Sequence, residues 1–124
     1  MCPFCHIEQT RIVAESEHSV ALFDGFPIAP GHTLIVPRRH VPSVFDLKRQ
    51  ELVDLYELIA RARQRLLSDF RPDGFNFGLN DGAAAGQTVP HAHIHLIPRR
   101  LGDVEDSRGG VLWVIPSKAK YWSD

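Results

Sequence analysis

The pattern of apolar and polar positions divides this chain into short β-like runs interrupted by one long helical stretch. Arg11–Ala14 and Ser19–Asp24 are compact runs rich in β-branched and aromatic residues, with a polar turn between them. Residues 25–31 carry two glycines and two prolines, which predicts a loop. His32–Pro37 is a third strand, ended by Pro37. From Asp46 to Phe70 the period lengthens: Leu52, Leu55, Ile59, Ala62 and Leu66 recur at spacings of three and four, which predicts a helix laid on one face of a sheet. Asp46 is positioned to cap its start, and Pro72 stops it. Gly74–Asn80 is a fourth strand and Pro90–Pro98 a fifth. Val111–Pro116 is a short apolar run with the character of an edge strand.

The fifth strand carries the chemistry. His91, His93 and His95 alternate with Ala92, Ile94 and Leu96. In extended chain, alternate residues share a face about 6–7 Å apart, so the apolar set faces a core and three imidazoles line the opposite side. Neutral imidazole attacks phosphorus and acyl centres and also binds metals. Just upstream lies the run Asn80-Asp81-Gly82-Ala83-Ala84-Ala85-Gly86-Gln87-Thr88, whose small residues let a backbone approach a ligand closely. Gln87 and Thr88 bring donors to the head of the strand. Two chemistries fit this pattern: covalent catalysis at phosphorus, or a catalytic metal shared by His91, His93 and His95.

Composition narrows the setting. The 124 residues suit a single domain over 1–124, with residues 1–10 as an N-terminal arm and 101–124 as a tail. Apolar residues make up 44% and charged residues 23%, as in ordinary globular proteins. A net charge of −1 gives no field to recruit nucleic acid or an anionic membrane. No apolar run reaches membrane-spanning length and no signal-peptide pattern is present, so a cytoplasmic protein is expected. Cys2 and Cys5 form a Cys-x-x-Cys pair, which is half of a tetrahedral zinc site. Cys5-His6 also completes a c-type haem pattern, but that would require export. A redox pair would want a following helix. Two unligated thiols remain open as an alternative. Arg38, Arg39 and His18 read as surface.

His91-Ala92-His93-Ile94-His95-Leu96-Ile97 resembles the signature of the histidine triad superfamily of nucleotide hydrolases and transferases. Pro30-Gly31-His32, with the strand to Pro37, and Asn80-Asp81-Gly82 with Gly86-Gln87-Thr88 are similar to two further segments of that family. The likeness spans roughly residues 2–100. The tail, with Arg108-Gly109-Gly110-Val111 and Trp113, is similar to bacterial members that hydrolyse diadenosine polyphosphates. The resemblance implies an α+β fold with a five-stranded antiparallel sheet, one main helix and a two-fold homodimer. It implies His93 as the nucleophile that takes up a nucleotidyl group, with His95, Gln87 and Thr88 at the phosphates or leaving group. His32 is implied as a supporting partner in a proton relay. Asp24 falls where the family holds ribose hydroxyls, Asn80 at the phosphate loop, and Phe4, Ile7 and Ile28 near the base slot.

Some superfamily members, including the distant galactose-1-phosphate uridylyltransferase, hold structural zinc. They use a Cys-x-x-Cys pair, a histidine after the third strand and the first triad histidine. Those positions are here Cys2, Cys5, His40 and His91, one zinc per chain and no organic cofactor. Three functions stand side by side. The first is a hydrolase of a phosphoric anhydride such as a diadenosine polyphosphate, or of a purine nucleoside phosphoramidate at the same site. The second is a nucleotide-binding sensor with little turnover, and the third is the metalloenzyme.

Overall fold

The computed structural model describes residues 2–123. Five strands form one antiparallel sheet: β1 (Ile12–Glu15), β2 (Ser19–Phe23), β3 (Thr33–Pro37), β4 (Gly74–Gly78) and β5 (Ile94–Arg99). Their order is β1-β2-β3-β5-β4, so β5 inserts between β3 and β4, and β4 lies at an edge. One helix, α1 (Arg49–Phe70), connects β3 to β4.

Strand parity explains the two cores. Registry pairs Val20 with Val36, Ala21 with Ile35, and Leu22 with Leu34 across β2 and β3. Cross-strand partners share a face, so the odd-numbered residues Ala21 and Ile35 turn one way and the even ones the other. Ala21 and Ile35 join Val13, Ile94 and Leu96 beneath Leu55, Leu58, Ala62 and Leu66 of α1. Val20, Leu22, Leu34 and Val36 form a second cluster on the opposite face, covered by Phe4 and Ile7 of the N-terminal arm and by Ile12 of β1. In β5 the parity is reversed: Leu34 pairs with His95 and Ile35 with Ile94. The histidine side therefore lies on the arm's face, and the helix covers only the apolar side.

Several boundaries differ from expectation. The helix begins at Arg49, and Asp46 sits in a short 3-10 turn, Val44–Asp46, capped by Ser43 Oγ accepting from Phe45 N–H at 3.1 Å. The helical stripe is shifted: Leu52 is 45% exposed, while Leu58 and Glu51 are buried. Glu51 is buried because its carboxylate accepts from Lys48 N–H at 2.9 Å and from Arg39 Nε and Nη2 at 3.1 and 2.9 Å. Those donors hold its pKa down to about 2. Arg39 is thus a structural partner and not merely solvated, and Arg38 donates to Glu15 and the Ser16 carbonyl. The run Val111–Pro116 is not a strand. It forms 3-10 turns at Gly110–Val114 and Pro116–Lys118, because local bonds such as Leu112 N–H to the Gly109 carbonyl (2.9 Å) satisfy its backbone.

Candidate active site and metal cluster

The three histidines of the triad segment enter three different environments. His91 precedes β5, fixed by Ala92 N–H donating to the Val41 carbonyl at 2.7 Å. Its ring is fully buried, and Nε2 lies 2.7 Å from the Pro37 carbonyl, which can only accept. The ring proton is therefore on Nε2 and the Nδ1 lone pair faces the N-terminal arm. That atom lies 3.3 Å from Cys2 Sγ, 3.7 Å from Cys5 Sγ and 3.2 Å from His40 Nδ1, and Cys5 Sγ lies 3.2 Å from His40 Nδ1. A tetrahedral zinc with ordinary bond lengths has S···N edges of ~3.6 Å and N···N edges of ~3.3 Å. Three S···N edges of 3.2–3.7 Å and the N···N edge of 3.2 Å lie near those values, and all four donor atoms fall within 4.8 Å of one another. Phe4 N–H donates to Cys2 Sγ at 3.4 Å, which suits a thiolate. Burial holds His91 below its ordinary pKa; His40 and His93 lower it further, and the Pro37 contact opposes them.

His93 has the opposite polarity. Its Nδ1 lies 2.9 Å from the His91 carbonyl and so carries the proton, which leaves Nε2 as a bare lone pair. The Phe4 ring packs 5.0 Å from the His93 ring, centroid to centroid.

His95 belongs to a third group. Ile28 N–H donates to His32 Nδ1 at 3.2 Å, so His32 is protonated on Nε2. That Nε2–H faces His95 Nδ1 at 2.9 Å, which leaves His95 with its own proton on Nε2. Asp24 Oδ2 stands 3.4 Å from His32 Nε2 and 3.9 Å from His95 Nδ1, and Asp24 Oδ1 accepts from Phe26 N–H at 2.8 Å. Burial pushes both imidazoles below the usual histidine range, with Asp24 opposing the shift in each. For His95 the neighbouring His32 and His93 add to the lowering.

Asp24, His32 and His95 are close enough together to share a cation, as are Cys2, Cys5, His40 and His91. The outer hydrogen bonds separate the two groups. A metal-bound imidazole donates its remote N–H to an acceptor. His91 has such an acceptor in Pro37, whereas His32 meets a donor, Ile28 N–H, at that position. The Cys2-Cys5-His40-His91 group therefore fits a metal and the Asp24 group fits a hydrogen-bonded relay. Among the described residues, His91, His93 and His95 do not converge on one metal position, and His93 belongs to neither group.

The loop ahead of β5 is held by Gln87. Its Oε1 accepts from Gly82 N–H at 2.8 Å, and its Nε2 donates to the carbonyls of Pro42 and Val89 at 2.8 and 3.0 Å. The amide expected at phosphate is thus committed to shaping the loop, while Thr88 and Asn80 are exposed. Phe4 and Ile7 pack on the second cluster, whereas Ile28 is 75% exposed. Ile28, Ala29 and Pro30 separate two cavities. One, of about 670 Å³, is lined by Asn80, His95, Ile97 and Trp113; the other, of about 550 Å³, by Asp24, His32 and Phe70. Two contributors escape sequence reasoning. The backbone N–H of Ile28 has no side-chain signal. Phe26, 90% exposed beside Asp24, is an aromatic between glycine and proline that could have been flagged.

The HIT domain profile matches residues 7–102, and the chain belongs to the HIT domain family. Among curated relatives, the bis(5'-adenosyl)-triphosphatase of Dictyostelium discoideum is 43% identical over 101 residues, covering 82% of this chain and 68% of that protein. A crystal structure of a HIT family protein from Bacillus anthracis str. 'Ames Ancestor' superposes with a TM-score of 0.73 at 36% identity, covering 80% of this chain and 73% of that one. A Zn-bound histidine triad family protein from Mycobacterium smegmatis gives 0.69 at 32% identity, covering 77% and 69%. The five-stranded antiparallel sheet with one main helix agrees with the fold expected from the triad segment.

Proposed function

We propose that this protein hydrolyses dinucleoside polyphosphates, with diadenosine polyphosphates as the model substrates, through a covalent nucleotidyl-histidine on His93. The observation that carries the reading is the tautomer pair. His93 offers a bare Nε2 because its Nδ1–H is tied to the His91 carbonyl, and His95 offers an Nε2–H because His32 occupies its Nδ1. The name of the Dictyostelium relative supports the substrate class.

His93 Nε2 attacks the α-phosphorus, and the bond from that phosphorus to its bridging oxygen breaks. The departing polyphosphate leaves as an anion, with His95 Nε2–H hydrogen-bonded to the oxygen that gains charge. Water then attacks the same phosphorus. The N–P bond electrons return to His93, AMP is released and the water's second proton passes to solvent. Covalent catalysis divides one difficult displacement into two easier ones. Asp24 accepts from the ribose hydroxyls, and Phe4, Ile7 and Ile28 border the base. Asn80 and Thr88 contact phosphate, while Gln87 acts as a positioning residue through the loop.

Cys2, Cys5, His40 and His91 would hold one zinc. Four protein donors close the tetrahedron, so the ion would pin the arm to the sheet and take no part in the chemistry. A homodimer through β4 is supported by that strand's place at a sheet edge and by Phe77, which is 62% exposed. No described helix is long and apolar enough to cross a membrane. Unpaired thiols at Cys2 and Cys5 suit the cytoplasm.

The test is a panel of diadenosine tri- and tetraphosphate and an adenosine phosphoramidate, with products and protein followed by mass spectrometry. AMP release from the dinucleotides with a transient adenylyl adduct on His93 is expected, and His93→Asn should abolish turnover while still binding AMP. Equal turnover by His93→Asn would refute the mechanism. Preference for the phosphoramidate would move the substrate class, and AMP binding without any turnover would favour a sensor.

A further inference from the structure

The family match ends at residue 102, yet the tail beyond it walls a cavity of about 670 Å³. We propose that this cavity is a slot for the second, departing nucleoside of the substrate, with Trp113 as its base-stacking wall. The inference rests on the hydrolase reading and adds to it what selects the leaving group.

Three observations carry it. First, the cavity of about 670 Å³ has His95 in its lining, and His95 is the residue whose Nε2–H would meet the departing oxygen in the proposed reaction. The volume falls within the usual range for small-molecule sites. Second, the segment Ile28–Pro30 lines both this cavity and the one that holds Asp24 and His32, so a separate recess remains on the far side of that segment from the carboxylate proposed for the first ribose. A substrate with a nucleoside at each end of a phosphate chain has this bipartite form, whereas a phosphoramidate with a small amine does not. Third, the walls are of the kind that takes a purine. Ile97, Val111 and Val114 supply apolar surface, and Trp113 a flat ring. That ring is oriented by its indole N–H, which donates to the Arg108 carbonyl at 2.8 Å. The tail is far more apolar at its surface than free solvent favours: Val111, Trp113, Val114 and Ile115 are all exposed.

The base of the slot is built from the sheet. Asn76 on β4 pairs with Ile97 on β5, and its Oδ1 accepts from Arg99 Nη1 at 2.6 Å. Arg99 is held in turn by both oxygens of Asp103, at 2.7 Å each. The polar floor is therefore fixed before any ligand arrives, and the Asn76 amide nitrogen is one of its donors.

The experiment compares diadenosine triphosphate with an adenosine phosphoramidate on the full chain. Base–aromatic stacking is worth about 5- to 140-fold in affinity. Trp113→Ala should lower the ratio of kcat/KM for the dinucleotide to that for the phosphoramidate by that factor, mostly through KM, and Trp113→Phe should restore most of it. An unchanged ratio, or equal loss on both substrates, would overturn the slot. A change in solution mass on Trp113→Ala would also overturn it, because a second copy would then be the occupant. If the wild type turns over neither substrate, the hydrolase reading fails, and the slot is judged by binding alone. In a Trp122→Phe background, quenching of tryptophan emission by a methylene-bridged diadenosine triphosphate and not by AMP keeps it. Equal quenching by both, or none, removes it.

Discussion

Replacing Gly31 by alanine tests how tightly the relay is built into the fold. Gly31 has φ +85°, and a Cβ there would lie 3.1 Å from two atoms of the Phe70 ring and 3.2 Å from Pro98 Cγ. Neither neighbour is a flexible end. Phe70 closes α1 and meets Phe23 edge-on at 6.0 Å, and Pro98 is fully buried in β5. The left-handed conformation costs a non-glycine residue about 1–2 kcal/mol. Overpacking adds about 1–3 kcal/mol, so Gly31→Ala should lose about 2–5 kcal/mol. Gly86 supplies the control. Its φ of +96° and ψ of 8° impose similar backbone strain, but the nearest atom to an added Cβ is Asn80 Nδ2 at 3.8 Å, an ordinary contact. Gly86→Ala should therefore lose only about 1–2 kcal/mol. Urea unfolding followed by circular dichroism reads both, provided the slope is unchanged between variants. Equal losses would show that the Phe70–Pro98 wall yields freely, and the packing argument would fail. Because Gly31 precedes His32, its displacement should also loosen the 2.9 Å His32–His95 contact and lower kcat.

The metal cluster and the relay give two further expectations. Cys5→Ser should lower bound zinc and thermal stability before it lowers turnover, since structural metal binding contributes to folding; zinc-free wild-type protein purified without chelator would remove the claim. Stability should also fall with acid in two stages. His32 and His95 resist protonation in the folded chain, so the unfolded chain binds more protons and stability drops as pH falls below their ordinary value of about 6.5. Protonating His32 would in addition set its Nδ1–H against Ile28 N–H. Glu51, depressed to about 2, adds stability present above about 4.5 and lost as pH falls toward 2. Thermal melts from pH 8 to pH 3 test this, and a flat profile between 7 and 5 would contradict the histidine part.

How far the sequence carried the fold depends on whether a feature was local. The alternation through Ala92, Ile94 and Leu96 was legible because one face of β5 is buried beneath α1. The helix was legible, but its stripe was misread by a position. Leu52 lies in the first turn, where Glu51 is drawn inward by Arg39. The tail was misread because an apolar run can satisfy its backbone in 3-10 turns as readily as in a ladder. The three histidines looked equivalent on spacing alone. What distinguishes them arrives from distant segments: the Pro37 carbonyl for His91, the His91 carbonyl for His93, and the Ile28 amide acting through His32 for His95. The four-residue metal group came from family resemblance, because half of it lies on an arm whose path the sequence does not encode.

His91 meets the arm with its ring and His93 with its carbonyl oxygen. Phe4, one residue before Cys5, touches both histidine rings. In the proposed reaction, cation binding at the arm and bond formation on His93 would be two equilibria that share a residue. Linkage is reciprocal. Whatever factor a cation on Cys2, Cys5, His40 and His91 contributes to the stability of an adduct on His93, the adduct returns to the cation's affinity. The N-terminal arm would then register the state of the proposed reaction as well as hold the sheet, and a cation bound there should have different affinities for the free and adenylylated protein.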